Sequence, residues 1–191
     1  SYNALTVTAN GNAQISTAQS KFGGASAYFD GTGDYLSIAS SSANQVLTGD
    51  FTIELWYYSN NNSSNKVLFE LYSSTTDRLN LSIVSSQLSV YSEISGSGAA
   101  RILTTAPATG QWHHVVLTKL SGTFALYVNG AASGTSTTTV YPSSTALTLR
   151  IAGGSNAGFD FDGYIDSLRI TKGIARYTAA FTPPTAQFPN S

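Results

Sequence analysis

The sequence contains no cysteine and no methionine, and it is poor in charge. Only 10% of its 191 residues are Asp, Glu, Lys or Arg. The absence of cysteine excludes disulfides, thiolate metal sites and cysteine nucleophiles. The formal net charge is -1 and no run of Lys or Arg occurs, so the chain lacks the electrostatic pattern of a nucleic-acid-binding protein. We therefore expect no nucleic-acid partner.

Long apolar runs are also missing. No segment has the length and hydrophobicity needed to span a bilayer, and the N-terminus lacks the basic-then-apolar pattern of a signal peptide. We expect no membrane insertion. Because the chain has no methionine, Ser1 is not expected to be a natural translation start, and we interpret residues 1–191 as one domain, a module cut from a longer chain. The surplus of Ser, Thr, Asn and Gly favours an extracellular or virion location.

The clearest positive signal is the segment Trp112 to Gly130. It holds two runs with alternating apolar positions, 112–120 and 123–128, joined at Ser121-Gly122. Alternation with a short Gly-containing turn predicts a β-hairpin. Further alternating runs cover 4–9, 25–29, 35–38, 51–58, 66–72, 78–84, 87–93, 100–105, 145–152 and 159–171.

These runs predict an all-β fold. No segment has a helical period, no repeat of fixed length occurs, and 41% hydrophobic residues are enough for one sizeable core. About a dozen short strands separated by turn signals indicate an antiparallel β-sandwich or jelly roll with two broad sheets.

Five segments carry a resemblance to a known family. They are Ala27 to Gly31 with Asp34 to Leu36, Phe51 to Trp56, Trp112 to Val116, Leu126 to Gly130, and Gly163 to Ile170. In this order they resemble the laminin-G-like domains of the concanavalin A-like lectin/glucanase superfamily. The ending from Arg169 to Pro184 resembles versions found in phage tail or fibre proteins and bacterial surface proteins. The resemblance implies a jelly roll of two curved antiparallel sheets that binds glycans or protein ligands, often with a calcium ion, and only some branches are glycosidases.

A glycan site needs aromatic platforms and polar groups for hydroxyls. The alternation predicts that four aromatic residues share one sheet face, with Glu54 and Glu70 beside them and Asn156 in a flanking loop. The aromatic residues are Trp56, Tyr58, Tyr72 and Tyr91. The alternative is that the aromatics fill the core between the sheets.

Catalysis is the minority interpretation. Glycosidases need two carboxyl groups about 5 Å or up to about 9 Å apart. The strand 51–58 carries only Glu54, so a catalytic pair requires Glu54, Glu70 or Glu93 to meet across neighbouring strands. His113 and His114 are adjacent on a strand, point to opposite faces and cannot share one ion. We expect them to have structural roles.

Two acidic segments are candidates for a calcium site. One runs from Asp30 to Asp34, and the other contains Asp160 and Asp166. Loops rich in oxygen ligands suit calcium, and their candidate ligands are Asp30, Asp34, Asp160 and Asp166. The family resemblance supports the expectation of a structural calcium ion. The alternative is that these carboxylates stabilise tight turns through backbone hydrogen bonds.

The leading hypothesis is a non-catalytic, lectin-like module that attaches a phage fibre or a secreted or surface adhesin to cell-surface glycans. A second hypothesis is a structural or decoration domain that contacts other subunits. The third is a glycoside hydrolase, which a Glu54–Glu70 pair at a catalytic separation above an open cleft would support.

Overall fold

The computed structural model describes residues 5–41, 47–138, 140–142 and 147–189. These residues form fourteen strands and no helix. Within these ranges there is therefore no helix that could cross a membrane. The strands are β1 (Val7–Asn10), β2 (Gln14–Ser16), β3 (Ser26–Asp30), β4 (Tyr35–Ser41), β5 (Phe51–Ser59), β6 (Lys66–Ser74), β7 (Asp77–Val84), β8 (Gln87–Ile94), β9 (Ser97–Thr105), β10 (Trp112–Leu120), β11 (Thr123–Val128), β12 (Ala131–Ser136), β13 (Leu147–Ile151) and β14 (Asp162–Lys172).

The strands form two antiparallel seven-stranded sheets. Sheet A has the order β1-β4-β13-β6-β7-β8-β9, and sheet B has the order β12-β11-β10-β5-β14-β3-β2. The predicted antiparallel β-sandwich is confirmed. The first residue of the predicted run 4–9 and the first two residues of the run 145–152 lie outside the described residues. Sequence reasoning missed β2 and β12, which are short edge strands without apolar alternation.

The central hairpin is formed as predicted. β10 and β11 pair from Val115–Val128 to Leu120–Thr123. Ser121 and Gly122 connect them with φ angles of 48° and 85°. Two successive positive φ values match the right-handed twist of paired strands, so this short turn holds the hairpin in register.

The core lies between the inward faces of the two sheets. On β5 the inward residues are Phe51, Ile53, Leu55 and Tyr57, and they pack with inward residues from β6 to β8 of sheet A. Each fully buried aliphatic or aromatic side chain contributes about 1.5–3 kcal/mol relative to exposure. The core thus accounts for one phase of the central strands and leaves the other phase for the two outer faces.

Alternation along the run 66–72 predicts that Val67, Phe69 and Leu71 point inward and Leu68 outward, and this prediction is wrong at Val67 and Leu68. A register shift between Val67 and Phe69 changes the alternation there. Leu68 joins the core, whereas Val67 lines a groove on the outer face of sheet A. An irregular pairing inserts an extra residue on one strand, so positions on either side of it no longer keep the same phase.

Part of the outer face of sheet B is covered by the chain itself. β5 is buried along both faces, including Thr52, Glu54 and Trp56. The segment after β14 runs across this face, with the Arg176 N–H donating to Thr52 Oγ1 at 2.8 Å and the Phe181 N–H donating to the Gly130 carbonyl at 2.9 Å. Sheet A therefore offers the more open outer surface.

Candidate functional site: a groove on the outer face of sheet A

An open groove of about 510 Å³ crosses the outer face of sheet A. Its floor is formed by β6 to β9, and one wall comes from the loop that follows β13. The hydrogen bond from the Val67 N–H to the Phe159 carbonyl, at 3.0 Å, ties this loop to β6. The lining residues are Asn65, Val67, Glu70, Arg78, Asn80, Ser82, Val84, Ser85, Gln87, Ser89, Tyr91, Ala100, Leu103, Gly154, Asn156 and Phe159.

Strand register places the central polar residues in two rows across the sheet. Arg150, Glu70, Asn80 and Tyr91 are successive partners on β13, β6, β7 and β8. The adjacent row contains Arg78 and its partner Glu93. Directly opposite residues in antiparallel strands lie close enough for side-chain contact. The floor is therefore one connected polar surface.

Glu70 sets the orientation of Asn80. The Glu70 side chain is 1% exposed; Oε2 accepts a hydrogen bond from the Ser155 N–H, and Oε1 accepts from Asn80 Nδ2 at 3.4 Å. A carboxylate only accepts hydrogen bonds, so the Asn80 amide must turn its NH₂ group toward Glu70. Asn80 Oδ1 is then left as a buried acceptor without a partner in the structure.

Arg78, Glu93 and Tyr91 form a second group in the groove. An Arg78 guanidinium nitrogen lies 2.8 Å from Glu93 Oε2, and the Tyr91 hydroxyl donates to the same oxygen at 3.1 Å. The guanidinium also lies 5.3 Å from the centre of the Tyr91 ring. Arg78 Nε is buried without a partner. Gly98 leaves space for the Tyr91 hydroxyl, because a Cβ at position 98 would lie 1.9 Å from it.

The groove combines apolar walls with unused hydrogen-bonding atoms. Tyr91, Phe159, Val67 and Leu103 supply apolar surface. A buried polar atom without a partner is unfavourable by about 1–3 kcal/mol, so a ligand that bonds to it gains affinity. Such a surface suits a ring-shaped ligand that carries both an apolar face and hydroxyl groups.

Three predicted ligand-binding residues lie in this groove: Glu70, Tyr91 and Asn156. Tyr72 lies on the same sheet, where its ring is 5.2 Å from the Arg150 guanidinium. Trp56, Tyr58 and Glu54 do not join them. β5 belongs to sheet B and β6 to sheet A, because the connection between these strands crosses from one sheet to the other. The prediction that all four aromatics share one face is therefore wrong.

Glu54 is a buried structural anchor. It is 0% exposed, and the Arg169 guanidinium binds Oε1 at 2.8 and 2.7 Å. The Tyr177 hydroxyl donates to Oε2 at 3.0 Å, and His114 Nε2 lies 3.2 Å from that oxygen. Burial acts to raise the pKa of Glu54, but the contacts with His114, Arg169 and Tyr177 outweigh it and hold the pKa below its usual value. Its predicted ligand role is corrected accordingly.

Trp56 is covered by residues of its own chain. It is 5% exposed, with the Phe22 ring packed edge-on at 5.8 Å and Lys21 Nζ 4.0 Å from its ring centre. The His114 ring lies 5.0 Å away. A sugar cannot stack on a face that is already occupied, so Trp56 is not a platform in this structure.

The two histidines point to opposite faces, as predicted. His114 lies on the outer side with Trp56. The His113 ring packs near Tyr57, an inward residue of β5, with 5.7 Å between the two ring centres. His113 Nε2 is 2.8 Å from the Ala108 carbonyl and its Nδ1 is 3.0 Å from Asn129 Nδ2. Both histidine rings therefore contact residues of the strands and their connecting loops.

Tyr58 belongs to a row of four aromatics on sheet B. Tyr28, Tyr164, Tyr58 and Trp112 are successive partners on β3, β14, β5 and β10. Their ring centres are 5.0, 5.8 and 5.8 Å apart, and all four are half-buried. This aromatic row is a second candidate surface, on the side of the sandwich opposite the groove.

Sequence reasoning missed Arg78, Asn80 and Gly98 as site residues. Arg78, Asn80 and Ser82 share the outward phase of β7, and the polar alternation of that strand was a usable signal. The role of Gly98 had no local signal, because it depends on Tyr91 from a neighbouring strand.

Comparison with known proteins assigns the family. The sequence profile of a laminin-G family, described as concanavalin A-like lectin/glucanases superfamily, matches residues 30–175. The chain belongs to this superfamily. A comparison with curated protein sequences finds no significant match.

Solved structures support the superfamily fold. Domain 4 of AbnA, an extracellular arabinanase from Geobacillus stearothermophilus solved with arabinotriose, has a TM-score of 0.69 and 19% identity, covering 88% of this chain and 82% of that chain. A structure of botulinum neurotoxin type C has a TM-score of 0.66 and 16% identity. Its description states that cell entry of this toxin depends on interaction with two ganglioside molecules. The binding domain of botulinum neurotoxin DC with SialylT has a TM-score of 0.64 and 16% identity. This chain covers 42% of each toxin chain, and each match covers 87% of this chain.

In this superfamily member, the two acidic segments come together at the edge of β3 and β14. Asp34 Oδ2 accepts a hydrogen bond from the Asp30 N–H at 3.0 Å, and Asp160 Oδ2 accepts from the Gly33 N–H at 3.0 Å. The carboxylates thus bind backbone donors, as the turn-stabilising alternative predicts. In the described part of the chain, no group of three or more His, Cys, Asp or Glu residues could hold a metal ion. Calcium binding stays a prediction, and it would need additional oxygen ligands.

Asp166 lies apart from the other predicted calcium ligands. Its Oδ2 accepts hydrogen bonds from the backbone N–H groups of Lys21 and Phe22, at 2.9 and 3.0 Å. It lies four positions along the extended strand from Asp162, a distance of roughly 13 Å. Grouping Asp166 with Asp30 and Asp160 in one site is therefore wrong, because the rigid strand β14 carries it to the Trp56 side.

Proposed function

We propose that this chain is a non-catalytic carbohydrate-binding module that uses the groove of sheet A. The observation that carries the proposal is the pairing of apolar wall residues, such as Tyr91 and Phe159, with two buried, unpartnered polar atoms, Asn80 Oδ1 and Arg78 Nε. Sugar rings present an apolar face for packing and hydroxyls for hydrogen bonds. The groove offers partners for both.

The related structures support this proposal by analogy. The arabinanase domain was solved with arabinotriose, and the toxin structures concern gangliosides or SialylT. One toxin binding domain was solved in complex with rat synaptotagmin II, and this chain covers 43% of that toxin chain. Fold likeness alone does not specify a ligand, and the residues of the groove carry the argument for sugar.

We place the module in a phage tail fibre or a secreted or surface adhesin, outside the cell or on a virion. The resemblance of the segment from Arg169 to Pro184 to such proteins motivates this setting. A shallow groove binds one glycan weakly. Several linked copies then raise the apparent affinity by about 10²- to 10⁴-fold through a high effective concentration.

The carboxylate geometry favours binding over hydrolysis. Glu54 and Glu70 lie in different sheets, so the pair that would indicate a glycosidase does not form. Glu93 lies on sheet A, where it is paired with Arg78. Glycosidases need an acid and a second carboxylate across one scissile bond.

The test is a glycan array probed with the protein displayed in multiple copies. We expect Tyr91→Ala to lose at least ~2 kcal/mol of binding free energy, about 30-fold, if Tyr91 is an aromatic anchor. Tyr164→Ala, on the opposite sheet, is the matched control and should bind as wild type. Absence of binding to any glycan at high density contradicts the proposal, as does loss of binding in the control alone.

A structural or decoration domain is the second candidate, and the aromatic row on sheet B favours it. Half-buried tyrosine and tryptophan side chains are enriched in protein interfaces. The chain itself already covers Trp56, so the surface left for a subunit is the row from Tyr28 to Trp112. Protection of Tyr164 from hydrogen–deuterium exchange or chemical labelling in an intact assembly, with the groove still open, would favour this function over the first.

A further inference from the structure

We propose that the groove selects uncharged sugars and excludes carboxylated ones, with Asn80 as the specificity-determining acceptor and Glu70 as the positioning residue that orients it. This inference rests on the proposed function, because it assigns the ligand class of the same groove. It is carried by the charges and hydrogen bonds of the groove floor.

The cation in the groove is already neutralised. Arg78 is paired with Glu93 at 2.8 Å, and that carboxylate also accepts from Tyr91. An anionic sugar would compete with a preformed ion pair for the same guanidinium. A neutral hydroxyl instead needs only Arg78 Nε, the donor that the ion pair leaves unused.

The remaining carboxylate of the groove, Glu70, has no cationic partner in the described part of the chain. None of the ion pairs found among the described residues includes Glu70. The nearest basic residue in the row is Arg150, but its guanidinium donates to the Gly154 carbonyl at 2.5 Å and lies over the Tyr35 ring at 4.4 Å. The groove floor therefore carries the negative charge of Glu70 next to Asn80, and a second carboxylate placed there would be repelled.

Asn80 reinforces this preference by its orientation. The residue is 7% exposed, and its NH₂ group is committed to Glu70. Its carbonyl oxygen Oδ1 is buried and has no partner in the structure, so it is the atom left to accept a hydrogen bond from a ligand. An oxygen acceptor beside a carboxylate binds a hydroxyl that donates, and it cannot bind a carboxylate.

The donor and the acceptor lie on one strand. Arg78 and Asn80 are two residues apart on β7 and point to the same face, with their Cα atoms about 7 Å apart. A sugar lying along β7 can accept from Arg78 Nε and donate to Asn80 Oδ1, with an apolar face against Tyr91. Polar sites of this kind discriminate strongly, because the wrong ligand leaves the buried atoms unpaired.

The experiment compares matched pairs of oligosaccharides, lactose with sialyllactose and an oligoglucose with the corresponding oligoglucuronate, on the array and then by calorimetry. We expect every bound neutral sugar to bind at least tenfold more tightly than its carboxylated partner. Equal or tighter binding of the carboxylated partners overturns this inference and leaves the proposed function standing. Binding of no sugar at all overturns the proposed function itself.

Two variants test the roles of the residues. Asn80→Leu has a similar volume and removes the acceptor oxygen, so neutral-sugar binding should fall at least tenfold. Glu70→Gln removes the charge and frees the Asn80 amide to rotate, so the neutral-to-acidic selectivity ratio should fall at least threefold. A thermal melt shows whether the Glu70→Gln protein is folded. If it is folded and its neutral-to-acidic selectivity ratio equals that of wild type, the positioning role of Glu70 is overturned. If that variant does not fold, unchanged neutral-sugar binding by Asn80→Leu overturns the assignment of Asn80 as the acceptor.

Discussion

Replacing Glu54 by Gln tests whether this residue anchors the fold or binds a ligand. The substitution preserves size but removes the charge that Arg169 binds at 2.7 and 2.8 Å. It also replaces one acceptor oxygen by an NH₂ group that faces the Tyr177 hydroxyl, the His114 ring or the guanidinium. The result is a half-buried guanidinium without its counterion.

The expected loss follows from burial. Breaking a buried ion pair from one side costs about 3–5 kcal/mol. Arg169 is 22% exposed in its side chain and keeps some contact with water, so we expect the lower end, about 3 kcal/mol. For a domain of this size 1 kcal/mol shifts Tm by about 2–4 °C, which gives a decrease of about 6–12 °C.

The loss should depend on pH with a defined sign. The folded pKa of Glu54 lies below its ordinary value of 4.5, so the folded state binds fewer protons than the unfolded state. The contribution of Glu54 is therefore fully present above pH 4.5 and disappears as the pH falls through the lower, folded pKa. The difference between wild type and Glu54→Gln should be largest near pH 7 and shrink below pH 4.5.

Urea unfolding at pH 7 and pH 3.5 measures this difference, and glycan binding provides the second measurement. Folded Glu54→Gln should retain wild-type binding, because the groove lies on the other sheet. A destabilisation below about 1 kcal/mol would refute the anchoring role. A loss of glycan binding in a protein that remains folded would return Glu54 to the ligand site.

Three further predictions concern backbone positions and metal binding. Gly163 has a φ of 148°, and a Cβ added there would lie 2.1 Å from the Tyr58 carbonyl oxygen, so Gly163→Ala should lower the free energy of unfolding by more than ~3 kcal/mol. The control is Gly158→Ala, which has open space around the added Cβ and should cost only about 1 kcal/mol. Thermal melts of both variants measure the difference. Gly98→Ala should push the Tyr91 hydroxyl aside and weaken glycan binding at least threefold with a stability change below about 1 kcal/mol; wild-type binding would contradict this. Calcium at 100 times its Kd should raise Tm by about 5–11 °C over chelator-treated protein, and an unchanged Tm contradicts the calcium prediction.

The candidate site could be predicted only in part. Glu70, Tyr91 and Asn156 were selected for their chemistry, and they lie in the groove. Trp56 was selected for the same chemistry, but the segment around Phe22 covers it. A local pattern reports which way a side chain points from its strand. It contains no information on what another part of the chain places over that face.

The sequence alone was sufficient for the strands, the central hairpin and the sandwich class. Alternation and turn residues act over a few positions. The consecutive residues Ser121 and Gly122 specify the hairpin turn independently of where the hairpin lies in the fold. The family resemblance extended this to the superfamily fold.

Only the tertiary structure decided which outer face is open. β5 and β6 are neighbours in sequence and members of different sheets, so Glu54 and Glu70 lie on opposite sides of the molecule. Sheet membership depends on pairing between distant strands, such as β5 with β14 and β6 with β13. The coverage of one sheet by the chain and the open groove on the other follow from those long-range contacts, for which no short sequence pattern is a substitute.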